Sequence, residues 1–140
     1  MGFEYVDHPG DIGIRAWGKT PDEAFREAAR GLFSLMVDLS RVSPAVRREV
    51  EAKADTLDRL LVEWLSALLA EKDVTGLIFS DFEVSIESLP SGYTLRGVGL
   101  GEPLDPARHP IGTEVKGISY LGLVVKEKDG GWAVQCIVDV

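Results

Sequence analysis

Leu123-Val124-Val125-Lys126-Glu127-Lys128-Asp129-Gly130-Gly131-Trp132-Ala133-Val134-Gln135-Cys136-Ile137-Val138 is the stretch on which the fold turns. β-branched residues and a tryptophan flank Asp129-Gly130. Asp-Gly suits a type I′ turn, whose twist matches that of two paired strands. The segment therefore predicts an antiparallel hairpin, with Leu123 to Lys128 paired to Trp132 to Val138. In the second strand Trp132, Val134, Cys136 and Val138 share one face, leaving Gln135, Ile137 and Asp139 on the other.

Other strands are found by working back from this hairpin. Glu114 to Tyr120 is one, and Tyr93 to Leu100 follows the turn Pro90-Ser91-Gly92. Leu77 to Ile86 is rich in Ile, Phe and Val, and Val46 to Ala54 alternates loosely. Near the start, Phe3 to Val6 is short, and Ile12, Ile14 and Ala16 alternate with Gly13, Arg15 and Trp17. Two helices lie between. Thr20-Pro21-Asp22-Glu23 opens the first with an N-cap, a proline at the first helical position and a glutamate able to reach back to the cap. Phe25, Ala28, Ala29, Leu32 and Met36 follow its 3.6-residue period. The second starts near Asp55-Thr56, carries a wide stripe from Leu57 to Leu69, and stops around Lys72-Asp73 with Gly76 beyond. The order is β-β-α-β-α followed by five strands, an α+β class with helices on one face of an antiparallel sheet.

The chain has 140 residues, with 15 Lys and Arg against 23 Asp and Glu, a net charge of −8. Hydrophobic residues make up 45%, too many for a disordered chain, and the length fits one domain over 1–140. Charge-free stretches such as Gly117 to Val125 fall far short of the roughly 20 residues of a membrane span. No basic patch and apolar run follow Met1, so no signal peptide is expected. The single cysteine, Cys136, excludes an internal disulfide and fits a reducing, cytoplasmic compartment. The acid excess argues against strong direct nucleic-acid binding, which draws on Lys and Arg, although a local basic patch would escape this argument. Arg47-Arg48 is the only basic cluster along the chain, and it lies among Glu49 and Glu51.

Chemistry concentrates at three places. Asp7-His8-Pro9-Gly10-Asp11 joins two expected strands, and its bend can gather Asp7, His8 and Asp11 into one region. Two carboxylates and an imidazole can bind a divalent ion, and oxygen-rich sites favour Ca²⁺, Mg²⁺ or Mn²⁺; the same residues also suit a solvated turn. At the other end, Asp139 and the α-carboxylate of Val140 offer adjacent oxygen ligands or a fraying strand. The third place is Arg108 to Lys116, where His109 is a candidate ligand or acid/base. With two histidines and no nucleophile motif, a triad is hard to build. Cys136, among apolar residues, reads as core. Gly97-x-Gly99-x-Gly101 opens no helix, so phosphate cradling is not expected. Trp17, Trp64 and Trp132 read as packing residues.

Taken together, these pieces resemble the archease family, small accessory proteins of tRNA splicing. The resembling residues are Tyr5 to Ile14, Gly18-Lys19-Thr20, Glu23-Ala24-Phe25, Glu63-Trp64-Leu65, Thr113-Glu114-Val115-Lys116 with Tyr120, and Val138-Asp139-Val140. Pro9-Gly10 stands where the family usually has Thr-Ala, and Leu121 where it usually has histidine. The resemblance implies a two-layer sandwich with two helices on a curved sheet. It implies an activator, not an enzyme in its own right: an aid to guanylylation and repeated turnover of an RtcB-type RNA ligase. An alternative role is as chaperone or specificity modulator of a tRNA methyltransferase. By position the family's metal site falls on Asp11, Asp139 and the Val140 carboxylate, with Asp7 and His8 beside it. Glu114 and Lys116 become candidate partner contacts. A small metal-dependent hydrolase ranks lower, since no clear general base is present.

Overall fold

A computed structural model describes residues 1–140. The strands are β1 (Gly2–His8), β2 (Asp11–Gly18), β3 (Val46–Ala54), β4 (Leu77–Leu89), β5 (Gly92–Pro103), β6 (Gly117–Lys128) and β7 (Gly131–Asp139). The helices are α1 (Pro21–Met36) and α2 (Leu57–Thr75), with one short 3₁₀ turn at Leu39–Arg41. The class is α+β, as the sequence leads one to expect. The strands divide into two antiparallel sheets, in the orders β1-β2-β7-β6 and β3-β5-β4. No helix is long and apolar enough to cross a membrane.

Local chemistry sets the element ends. The Thr20 hydroxyl accepts a hydrogen bond from the Glu23 N–H at 3.2 Å, with Pro21 starting α1. The Glu23 carboxylate reaches one residue past the cap and accepts from the Lys19 N–H at 2.7 Å. Thr56 caps α2, which runs on past Asp73 until Gly76, at φ 74°, closes it by donating to the Lys72 carbonyl. Asp129 and Gly130 both have positive φ, as a type I′ turn requires, and Lys128 pairs with Gly131. Four strands follow α2, where the sequence suggests five. Gly117–Tyr120 and Leu123–Lys128 are one strand, β6, whose register shifts between Ser119 and Val124 around Gly122 at φ 72°. Glu114 lies ahead of that strand.

Both helices contact both sheets, α1 against β1, β2, β7 and β4, and α2 against β3, β4, β5 and β6. One apolar core results. Phe25, Leu32 and Phe33 of α1 meet Leu61, Trp64, Leu65 and Leu68 of α2, with Phe79, Phe82, Ile14 and Cys136 from the sheets. Gly97 and Gly99 of β5 make room for rings, and Gly101 for the backbone of β4 at Ile78. A methyl at Gly97 would overlap the Trp64 ring, and one at Gly99 would lie 2.7 Å from Cδ1 of Phe79.

Candidate metal centre at one end of the first sheet

Pro9 and Gly10 form a two-residue turn, with His8 of β1 opposite Asp11 of β2. Proline fixes a negative φ and Gly10 sits at φ 77°, the pair of conformations a type II turn needs. Asp11 stands opposite Asp139 of β7, and Asp139 stands opposite Gly117 of β6. Directly opposed residues project on the same face. His8, Asp11 and Asp139 therefore form one row across the sheet end, on the face away from the helices. The Nδ1 atom of His8 lies 3.8 Å from Oδ2 of Asp11, and their side chains are 49% and 30% exposed. The Asp139 side chain and Val140 are exposed beside them.

Two of the remaining candidates separate. Asp7 does not join the row: it pairs with Ile12, whose neighbours across and along the strand, Val138 and Ile14, are buried against the helices. Strand alternation sends it to the opposite face from His8. Lys116 comes alongside, because its N–H donates to the Asp139 carbonyl at 2.8 Å. Glu114 is exposed two residues earlier and makes no hydrogen bond to the row.

Carboxylates are hard donors of the kind that hold Ca²⁺, Mg²⁺ or Mn²⁺, whereas an imidazole is a borderline nitrogen donor beside them. The side chains alone come in pairs, since no three His, Cys, Asp or Glu side chains cluster with ligand spacing. The remaining positions would be open to water or a partner's groups. A cation held by so few protein groups would be shallowly bound and exchangeable, not enclosed as in a structural site.

His109 is not open to a ligand. It is 1% exposed, its Nδ1 accepts from the Asp105 N–H at 2.9 Å, and its Nε2 lies 3.0 Å from Oε2 of Glu102. Glu102 also accepts from the Ser43 N–H and, through both oxygens, from Arg108. The Ser43 backbone bond is the main reason its carboxyl is held below the usual range, with His109 and Arg108 adding to it. This group ties the turn from Asp105 to His109 to the end of β5 and to Ser43, ahead of β3. Cys136 is fully buried, and burial pushes its thiol up to about 12. The one basic run is also spent on neighbours, Arg47 on Glu83 and Arg48 on Glu71.

A family model described as the archease protein family (MTH1598/TM1083) matches residues 3–140. The chain belongs to the archease family. It is 40% identical to the protein archease of Methanopyrus kandleri over 140 residues, covering all of both chains. Against that of Thermococcus kodakarensis it is 40% identical over 139 residues, covering 99% of this chain and 98% of the other. The solution structure of protein 1598 of Methanobacterium thermoautotrophicum superposes with a TM-score of 0.88 at 32% identity, covering 99% of each chain. An archease from Thermotoga maritima, described as a possible chaperone, shares the fold with a TM-score of 0.60 at 14% identity, covering 98% of this chain and 96% of that one.

Sequence reading missed Trp17. It is 40% exposed and stands on the outer sheet face, sharing the parity of Arg15 and not that of the buried Ile14 and Ala16. The alternation along β2 already carried that signal. Trp64 packs in the core, and Trp132 is half-buried against it.

Proposed function

We propose that this archease is an accessory protein that activates an RtcB-type RNA ligase, promoting guanylylation and repeated turnover through a divalent ion held at the end of the first sheet. The observation that supports this most is the register that sets Asp11 opposite Asp139 and His8 opposite Asp11. These groups bring oxygen donors from both ends of the chain to one exposed edge. A cation bound there would offset phosphate charge at a guanylylation centre. Asp11, Asp139 and the Val140 carboxylate hold it, His8 orients the Asp11 carboxylate, and Lys116 flanks the row. Open coordination positions suit an ion shared with a partner enzyme.

Calorimetric titration with Mn²⁺ and Ca²⁺, run beside a multiple-turnover ligation assay with purified ligase, tests this. Asp11→Asn and Asp139→Asn should each abolish ion binding and stimulation while leaving the melting midpoint within a few degrees, as exposed substitutions do. Full stimulation by both variants would sink the metal mechanism. Phosphoester turnover by the pure protein would make it a hydrolase instead. A second reading is a chaperone or specificity modulator of a tRNA methyltransferase. It is favoured by the description of the Thermotoga relative and by the exposed Tyr120 and Leu121 at the β6 bulge. That role predicts partner binding indifferent to chelator and to both carboxylate changes.

A further inference from the structure

The charge of −8 is unevenly spread. On the outer face of the first sheet, at the end away from Asp11, Trp17 and Lys126 each stand opposite Ala133, Arg15 opposite Gln135, and Lys128 opposite Gly131. With Lys19 these residues line an open groove of about 910 Å³. That is the size of a ligand site, for which roughly 300–1,000 Å³ is usual. Four cations face two carboxylates there, Glu4 and Asp129. Arg15 donates from Nε to Gln135 at 2.8 Å and lies 3.7 Å from Glu4. Lys19, Lys126 and Lys128 make no ion pair, whereas most of the arginines do. Trp17 offers an indole among them that is 40% exposed.

We propose that this face binds single-stranded nucleic acid without sequence preference, its phosphates against Arg15, Lys19, Lys126 and Lys128 and one base stacked on Trp17. Unpaired lysines favour a polyanion, and an exposed indole favours a polyanion that carries flat rings. An acidic peptide would satisfy the cations and leave the indole idle. Six residue steps along β2 separate Trp17 from Asp11, roughly 20 Å at about 3.3 Å per residue, so a strand on the groove leaves the carboxylate row free. The inference does not rest on the ligase reading, because the isolated chain should bind.

Fluorescence anisotropy of a labelled octauridylate, titrated with the purified protein, tests it. The expected dissociation constant is about 10–100 µM at about 50 mM salt, within the non-specific range. Four phosphate contacts at about 0.7 each predict a slope of log K against log salt near −2.8. Lys126→Gln with Lys128→Gln should flatten that slope by about 1.4. Trp17→Leu should weaken binding at least about fivefold and remove the fluorescence quenching on titration. Thermal melts by circular dichroism establish that the variants fold. No saturable binding, or an unchanged slope in the lysine variant, overturns the proposal. So does equal competition by polyglutamate together with full binding by Trp17→Leu, which would assign the groove to an acidic protein.

Discussion

Replacing Gly97 by alanine should destabilise this protein, and the same change should stabilise it once Trp64 is gone. Trp64 is fully buried, donates from Nε1 to the Phe25 carbonyl at 3.2 Å, and meets Phe82 edge-on at 6.1 Å between centroids. Its six-membered ring fills the space that a Gly97 methyl would occupy. Overpacking of this kind costs about 1–3 kcal/mol. Full truncation of a buried tryptophan costs roughly 3–5 kcal/mol. Leucine refills part of the space, so Trp64→Leu should cost about 2–4 kcal/mol, within the roughly 5–15 kcal/mol of a folded domain. In that background the ring atoms over Gly97 are absent. The methyl then meets only the Leu95 side-chain tip, 3.3 Å away, which yields by a small rotation, so Gly97→Ala gains up to the roughly 0.5–1 kcal/mol by which alanine exceeds glycine in a strand. The coupling energy is about 1.5–4 kcal/mol, well above the roughly 0.5 kcal/mol seen between independent sites. Urea unfolding of the two single variants, the double variant and the parent, followed by far-ultraviolet circular dichroism, measures the cycle. Additivity within about 0.5 kcal/mol would refute the account of the glycine row as a ring socket.

Three further outcomes follow from the same structure. The Glu102 carboxyl is held low in the folded state, so the unfolded chain takes up its proton first as pH falls. Its contribution is complete above the unfolded value, near 4.5, and is lost as pH drops through the lower folded one; Glu102→Gln should flatten the acid limb of a urea-midpoint profile below about pH 4.5. Cys136, with its thiol near 12, should resist a thiol reagent at about pH 8 in the native protein and react at once in denaturant. Gly76→Ala should cost about 1 kcal/mol in the same urea assay, from the left-handed backbone alone, because nothing lies within 4 Å of the added methyl.

Elements whose signals are local could be read from the chain. Thr20-Pro21, Thr56 and Asp129-Gly130 each fix a cap or turn within a few residues and lie where expected, whereas α2 runs on from the expected stop at Lys72-Asp73 to Gly76. The division into two sheets could not be read, because it depends on which strands find each other across the sequence. The union of the Glu114–Tyr120 and Leu123–Lys128 segments was hidden by Gly122, which looks like a break and is a bulge. At the candidate site Asp11 and Asp139 were legible as donors, but their opposition is a fact of register. Asp7 looked equivalent to Asp11 until alternation placed it on the other face. His109 looked like a ligand because its partners, Glu102 and the Asp105 N–H, are not recognisable from sequence. The basic groove escaped notice because its cations come from β2, the turn after it, and β6, and form no run.

The pairing of β2 with β7 also sets an order of assembly. Residues 11–18 must find residues 132–139, a closure across about 120 positions and so the slowest kind of contact to make. The β3-β5-β4 sheet and α2 arise from residues 46–103 alone and can form early. The row of His8, Asp11 and Asp139 exists only where the β2-β7 seam is closed, so presenting it reports that two segments distant in sequence have paired.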